Sequence, residues 1–317
     1  MRDGQPAHEQ RTGLLFAAVA AVIYGAAYPA TAIALRSFTP LAIAALACTI
    51  ALPVVVALGW AGWLPRPNVG GLDGPRLLRL ATLSGLGGIL FIAAVNVAVA
   101  LSGPTVTGFV APLYAVAAAL LAIPLLGERV RAATVGAFAV ALVGTAMLAG
   151  GAPGIDSIVG VAMALAAALA FGLYIVLARR WGERYRLDGT LVTIANLIGR
   201  GPILLVVELV RSPGTLIPAQ PDPAAVIALL SIAFGASSTA NLLLMASVRR
   251  VAAGRASAAL LLTPISSAVL GVVLLSDQLG PIQLLGAALI LAGIAVSSGA
   301  VGAVRPAALR PGPATRR

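Results

Sequence analysis

Residues 111–148 read APLYAVAAALLAIPLLGERVRAATVGAFAVALVGTAML, and residues 263–298 read TPISSAVLGVVLLSDQLGPIQLLGAALILAGIAVSS. Each opens at a proline (Pro112, Pro264) and runs through an apolar stretch. Each then turns at a small residue followed by an acid (Gly127-Glu128, Ser276-Asp277) and resumes as a glycine-spaced apolar run (Gly136/Gly144, Gly286/Gly293). The two stretches form an internal repeat. Pro112 precedes Glu128 by 16 residues and Pro264 precedes Asp277 by 13, so the register of the first apolar run is offset by about one helical turn. The runs are continuous and about twice the length of an outer-membrane barrel strand, so they read as membrane helices.

The same reading extends outward to ten apolar segments, at 13–35, 40–62, 77–101, 104–126, 132–150, 157–178, 189–210, 224–247, 252–275 and 280–302. Their breaks carry turn residues: Pro40, Pro65-Arg66-Pro67, Pro104, Pro153-Gly154, Pro213-Gly214, Pro221 with Pro223, and Pro281. Composition agrees. Of 317 residues, 60% are hydrophobic and 10% charged, where a soluble domain carries about 25% charged residues. Mean hydropathy is +1.03. A globular core cannot hide that apolar surplus from water. A soluble enzyme, a nucleic-acid binder and a disordered chain are excluded, and the lipid bilayer is the expected partner. The first segment exceeds the 7–15 apolar residues of a signal peptide and has an internal counterpart, so it is read as helix 1.

The net charge of +11 is carried by arginine alone among the basic residues, and it is not a patch on a polar domain. With the N-terminus inside, the tails and the loops 2–3, 4–5, 6–7 and 8–9 hold eighteen arginines. The outer loops hold only Arg36 and Arg211, and Arg200 alone lies far from both ends of a segment. This bias places both termini in the cytoplasm of a multi-pass plasma (inner) membrane protein. The expected division is a first five-helix unit at 13–150, a second at 157–302 and a basic cytoplasmic tail at 303–317. Cys48 is the only cysteine and His8, in the polar N-terminal stub, the only histidine. An intrachain disulfide, a thiolate or imidazole metal site and a His-based triad are therefore excluded, and neither metal nor cofactor is expected. Gly85-Leu86-Gly87-Gly88 lies inside an apolar helix with no preceding strand and is not a phosphate loop.

Five helices per unit is an odd number, so the second unit enters the membrane from the opposite side. The fold class is thus an all-α membrane protein of ten transmembrane helices in two inverted five-helix repeats. Inverted repeats place a solute site near the midplane at their interface. The chain resembles the drug/metabolite transporter superfamily, of the EamA-like type. The residues carrying this are Leu126–Arg129 with the glycine-spaced run after it, Phe171-Gly172-Leu173-Tyr174 ending in Arg179-Arg180, and Arg249-Arg250-Val251 leading through Ala256-Ser257 to Thr263-Pro264 and Gly286/Gly293. The resemblance covers roughly residues 13–302. It implies a central cavity lined by helices 1, 3, 4, 6, 8 and 9, with helices 5 and 10 peripheral. Family members often carry an arginine early in helix 2, after a proline, and a related one in helix 7. Here the helix 2 position after Pro40 reads Ala47, which removes one member of that pair and leaves Arg200 as its helix 7 counterpart.

An ionisable group inside a membrane is expensive and marks function by default. Arg200 suits a substrate carboxylate, gripped by two parallel hydrogen bonds; the alternative is a structural arginine held by backbone carbonyls or by Asn196. Tyr24, Tyr28 and Thr31 share one face of helix 1, where Pro29 frees a backbone carbonyl. They are candidates for the cavity, against placement in an interfacial aromatic belt. Asn96 and Asn241 occupy paired helices of the two repeats, the latter beside Ser237, Ser238 and Thr239. Tyr114, Tyr174 and Thr263 complete the candidate substrate-binding set, against interhelical bonding or packing. Pro29, Pro112 and Pro264 are read as hinge or cavity-shaping residues. Glu208 reads as a snorkelling or loop-capping carboxylate near the outer interface, and Glu128 and Asp277 as turn caps. With no carboxylate well inside a helix apart from Glu208, the expected cargo is a small metabolite such as an amino acid, moved by an exporter or facilitator, with a homodimer left open. A multidrug exporter of organic cations is the alternative within transport. An intramembrane enzyme and a purely structural subunit are remote alternatives.

Overall fold

Helix starts in this chain are set by prolines and short acceptors, residues that leave orphan N–H groups either absent or satisfied. Thr39 Oγ1 accepts from Ala42 N at 3.1 Å and opens the second helix at Pro40. Asp73 accepts from Arg76 N at 2.9 Å ahead of Pro75, and Asp222 accepts from Ala224 N at 2.9 Å ahead of Pro223. Pro104 and Pro281 stand at two further starts. The computed structural model describes residues 7–61, 72–127, 132–149, 155–185, 187, 189–211, 216–250, 259–260 and 262–302. The turn residues Glu128, Pro153-Gly154 and Pro213-Gly214, the Pro65–Pro67 loop, Ala256-Ser257 and the basic tail lie outside them.

Among the described residues ten helical segments follow in order: α1 (Ala7–Ala34), α2 (Pro40–Trp60), α3 (Gly74–Ser102), α4 (Pro104–Leu126), α5 (Ala132–Ala149), α6 (Ile155–Tyr185), α7 (Gly189–Arg211), α8 (residues 223–250), α9 (Leu262–Leu275) and α10 (Pro281–Gly302). Among the described residues seven of these are long and apolar enough to cross a bilayer, and α5, α9 and α10 supply shorter apolar stretches. The molecule is an all-helical membrane protein. Two boundaries differ from the apolar pattern. α1 begins at Ala7 and α6 runs on to Tyr185, because Glu, Gln and Arg are good helix formers and the backbone ladder does not stop where hydrophobicity does.

The packing has a two-fold logic. α1 lies along α8 and α9, and α6 lies along α3 and α4. α2 packs on α7, and α5 on α10. Adding five to each helix number exchanges these contacts among themselves, which is the relation that inverted repeats impose. Small residues make the α5–α10 contact close. A methyl group on Gly144 would sit 2.5 Å from the Gly286 carbonyl oxygen, and one on Gly286 would sit 2.6 Å from that of Gly144. Such backbone approach substitutes for the hydrophobic drive that lipid removes. The outward faces carry exposed Leu15, Leu78, Val210, Ile227 and Val273, side chains suited to lipid.

Two features of the helices are not written in the apolar pattern. α3 widens into a π-helix over Ser84–Leu90, and α8 does so over Ile232–Ala240. These helices are counterparts in the two repeats. π segments loosen the backbone and shift side-chain register. α4 instead tightens into a 3₁₀ turn at Ala111–Leu113, around Pro112. Pro29 lies inside α1, and Pro264 is the third residue of α9 as described.

Candidate functional site

The seam between the repeats gathers polar side chains from six helices. On α1, Tyr24 donates its phenol proton to Asn241 Oδ1 on α8 at 2.8 Å. The carboxamide of Asn241 in turn donates to the carbonyls of Ala236 (3.1 Å) and Ser237 (3.2 Å), inside the π segment. The wider turn brings the i−5 carbonyl within reach of that nitrogen. Tyr28, one turn on, is buried. Pro29 deprives the Gly25 carbonyl of its helical donor, and Gly25 itself abuts the Thr263 carbonyl of α9, 2.4 Å from where a methyl would stand. Thr263 is buried, with its hydroxyl unpaired.

Across the seam an aromatic cluster forms from α3, α4 and α6. Phe171 stacks on Phe91 at 4.4 Å between centroids and on Tyr174 at 5.1 Å, and meets Tyr114 edge-on at 4.9 Å. The Tyr174 ring fills the notch at Gly87, where a methyl would be 2.6 Å from it. Its hydroxyl accepts from Asn196 Nδ2 of α7 at 3.3 Å. Tyr114, Tyr174 and Arg200 all lie close enough to Tyr24 to act on it electrostatically, as Arg200 does on Tyr174 and Tyr114 on Tyr28.

Arg200 is 7% exposed. Its stem packs over Gly88, 3.3 Å from the methyl position there, and its guanidinium lies near Cys48 on α2. Its Nε has no hydrogen-bond partner. The amide of Asn196 goes to Tyr174, so its interaction with Arg200 is not the one sequence proximity suggested. Asn96 does not join the tyrosines: its amide donates to the Pro40 carbonyl at 3.0 Å, tying α3 to the start of α2.

Two acids take positions of their own. Glu208 is 2% exposed, so it does not snorkel; its Oε1 accepts from the Thr39 hydroxyl that caps α2. Burial follows from the α2–α7 contact, which covers this end of α7. Asp277 accepts from Thr105 Oγ1 at 2.5 Å and joins the end of α9 to the start of α4. Separately, an apolar cleft of about 460 Å³ lies between α1, α8 and α9, lined by Ala30, Ile33, Ala228, Ile227 and Leu270 among others; it includes none of the candidate site residues.

Sequence reading missed Phe91, Ser84 and Cys48 as site neighbours and noted Asn196 only beside Arg200. Each sits in an apolar run with nothing local to mark it. The available signal was the Gly85–Gly88 cluster, which clears space on α3 for Tyr174 and Arg200.

The sequence matches the EamA-like transporter family over residues 11–150 and 158–299, one copy per repeat, and the chain belongs to that family. The chain is also similar to a solved protein structure titled only "Crystal structure of protein". The TM-score is 0.64 at 23% identity, covering 90% of this chain and 96% of that one, a likeness of fold. No curated protein matches the sequence.

Proposed function

We propose that this membrane transporter is an exporter or facilitator of small zwitterionic or carboxylate-bearing metabolites such as amino acids, and that it works by alternating access at the seam. The observation that carries this is Arg200: a buried cation on α7 with an unpaired Nε, beside a seam lined by tyrosine and asparagine. An uncompensated buried charge is costly, and a solute carboxylate is the natural counter-ion. The matched halves support two interchangeable arrangements of similar energy, one open to each side. The arginine distribution supports both termini in the cytoplasm of the plasma membrane. The chemistry is translocation without bond making, and the family is one of transporters.

The test is counterflow of radiolabelled amino acids in proteoliposomes, comparing the parent chain with Arg200→Ala. Loss of carboxylate-solute flux in the variant supports the assignment. Unchanged flux removes Arg200 from the site.

One observation favours a second reading. Glu208 is a carboxylate buried within a span, and a proton-coupled exporter of organic cations needs such a group. Inhibition of flux by organic cations but not by amino acids, together with its loss in Glu208→Gln, would select that reading.

A further inference from the structure

Three buried polar atoms on the α3–α7 contact are left without partners: Arg200 Nε, Asn196 Oδ1 and Ser84 Oγ. They come from one patch. Asn196 and Arg200 are one turn apart on α7. Ser84 and Gly88 open and follow one turn of the π segment on α3 and face that stretch. A methyl on Gly199 would be 2.1 Å from Ser84 Oγ, and one on Gly88 would be 3.3 Å from Arg200 Cβ and 3.4 Å from the Asn196 carbonyl oxygen. Native interiors leave few such groups unpaired, and each unmade bond is costly. Three together, of complementary character, mark a place where something polar docks.

Their chemistry is specific. Arg200 Nε–H and the Ser84 hydroxyl are donors. Asn196 Oδ1 is an acceptor, because the nitrogen of the same amide is already committed to Tyr174. Two donors, one of them charged, suit a carboxylate, and the acceptor suits an ammonium group. The π segment is what sets this arrangement. It breaks regular register at Ser84 and, with Gly87 and Gly88, lets Tyr174 and Arg200 lie against the α3 backbone.

We infer that Ser84, Asn196 and Arg200 form the head-group subsite for an α-amino acid, with Ser84 and Arg200 on its carboxylate and Asn196 Oδ1 on its ammonium. This rests on the proposed amino-acid reading and narrows it to solutes that carry both groups. Ser84 and Asn196 are then specificity residues: they reject a solute that lacks one charged group by leaving a buried atom unpaired.

The experiment is equilibrium binding to the purified full chain. The twenty L-amino acids are measured first, then the decarboxylated amine and the desamino acid of the tightest binder. Ser84→Ala is expected to weaken the amino acid and the desamino acid about ten-fold and leave the amine unchanged. Asn196→Leu is expected to weaken the amino acid about ten-fold and leave the desamino acid unchanged. Ser84→Gly, which fits a glycine-rich segment, replaces the alanine variant if that fails to fold. Equal effects on all three ligands, or none, overturn the subsite while amino-acid binding by the parent chain keeps the functional reading. No binding of any amino acid by the parent chain overturns both.

Discussion

The phenol of Tyr24 and the carboxamide oxygen of Asn241 stand 2.8 Å apart although 217 positions separate them. The bond joins the first helix of one repeat to the third helix of the other. It ends on a side chain anchored by carbonyls of the α8 π segment. Any motion that slides α1 along α8 must break it or carry the π segment along. Tyr24→Phe removes only the donor. Expected is a loss of about 1 kcal/mol in stability, from a net hydrogen bond, with an altered ratio of efflux to uptake rates. Thermal unfolding in detergent and two-directional flux measure these, and wild-type values in both would deny the bond a role.

Gly286 and Gly136 were alike in the repeat pattern but differ in place. Gly286 meets Gly144 backbone to backbone, whereas a methyl on Gly136 meets nothing within 4 Å. Gly286→Val is expected to cost about 1–3 kcal/mol through overpacking or worse. Gly136→Ala is expected to be neutral or to stabilise α5 by up to about 1 kcal/mol, because alanine is the better helix former. Melting temperatures of the two variants decide it.

The starts of α3 and α8 and the ends of α6 and α1 make equivalent clasps at opposite faces, held by different chemistry. Arg79 lies 3.6 Å over the Tyr185 ring and donates to its hydroxyl at 2.9 Å. The counterpart is the exposed pair Arg36–Asp222 at 4.0 Å. Arg79→Ala is expected to cost about 1–2 kcal/mol and Arg36→Ala less than about 1 kcal/mol. Raised salt should narrow the difference between the Arg36 variant and the parent chain in thermal melts.

Glu208 is an acceptor for the α2 cap, and a glutamine keeps that acceptor. Glu208→Gln is expected to preserve both fold and amino-acid flux, while Glu208→Leu strands the Thr39 hydroxyl and costs about 1–3 kcal/mol. Flux lost in the glutamine variant of a well-folded protein would instead assign the carboxylate a coupling role.

The sequence carried the architecture well because lipid makes each span announce itself: ten apolar runs, prolines at their starts, and the Pro112 and Pro264 stretches that mark the repeat. Placement within the seam was less legible. Whether Asn96 or Asn196 faces the tyrosines depends on helix rotation, and in a helix apolar on all sides no polar face fixes that rotation. The π segments add a further shift that no local residue pattern foretells, although the glycines at 85, 87 and 88 hint at it. For Glu208 the capping reading holds and the snorkelling one fails, because distance along a helix says how deep a residue lies but not what a neighbouring helix covers.

The most direct test of the seam as the solute path is labelling at Tyr114. A Tyr114→Cys variant, in a Cys48→Ala background, is treated with a membrane-impermeant thiol reagent from either side of oriented vesicles. A solute path along the seam predicts reaction from both sides, slowed from both by transported solute. Reaction from one side only, or none in a chain that still transports, would contradict it.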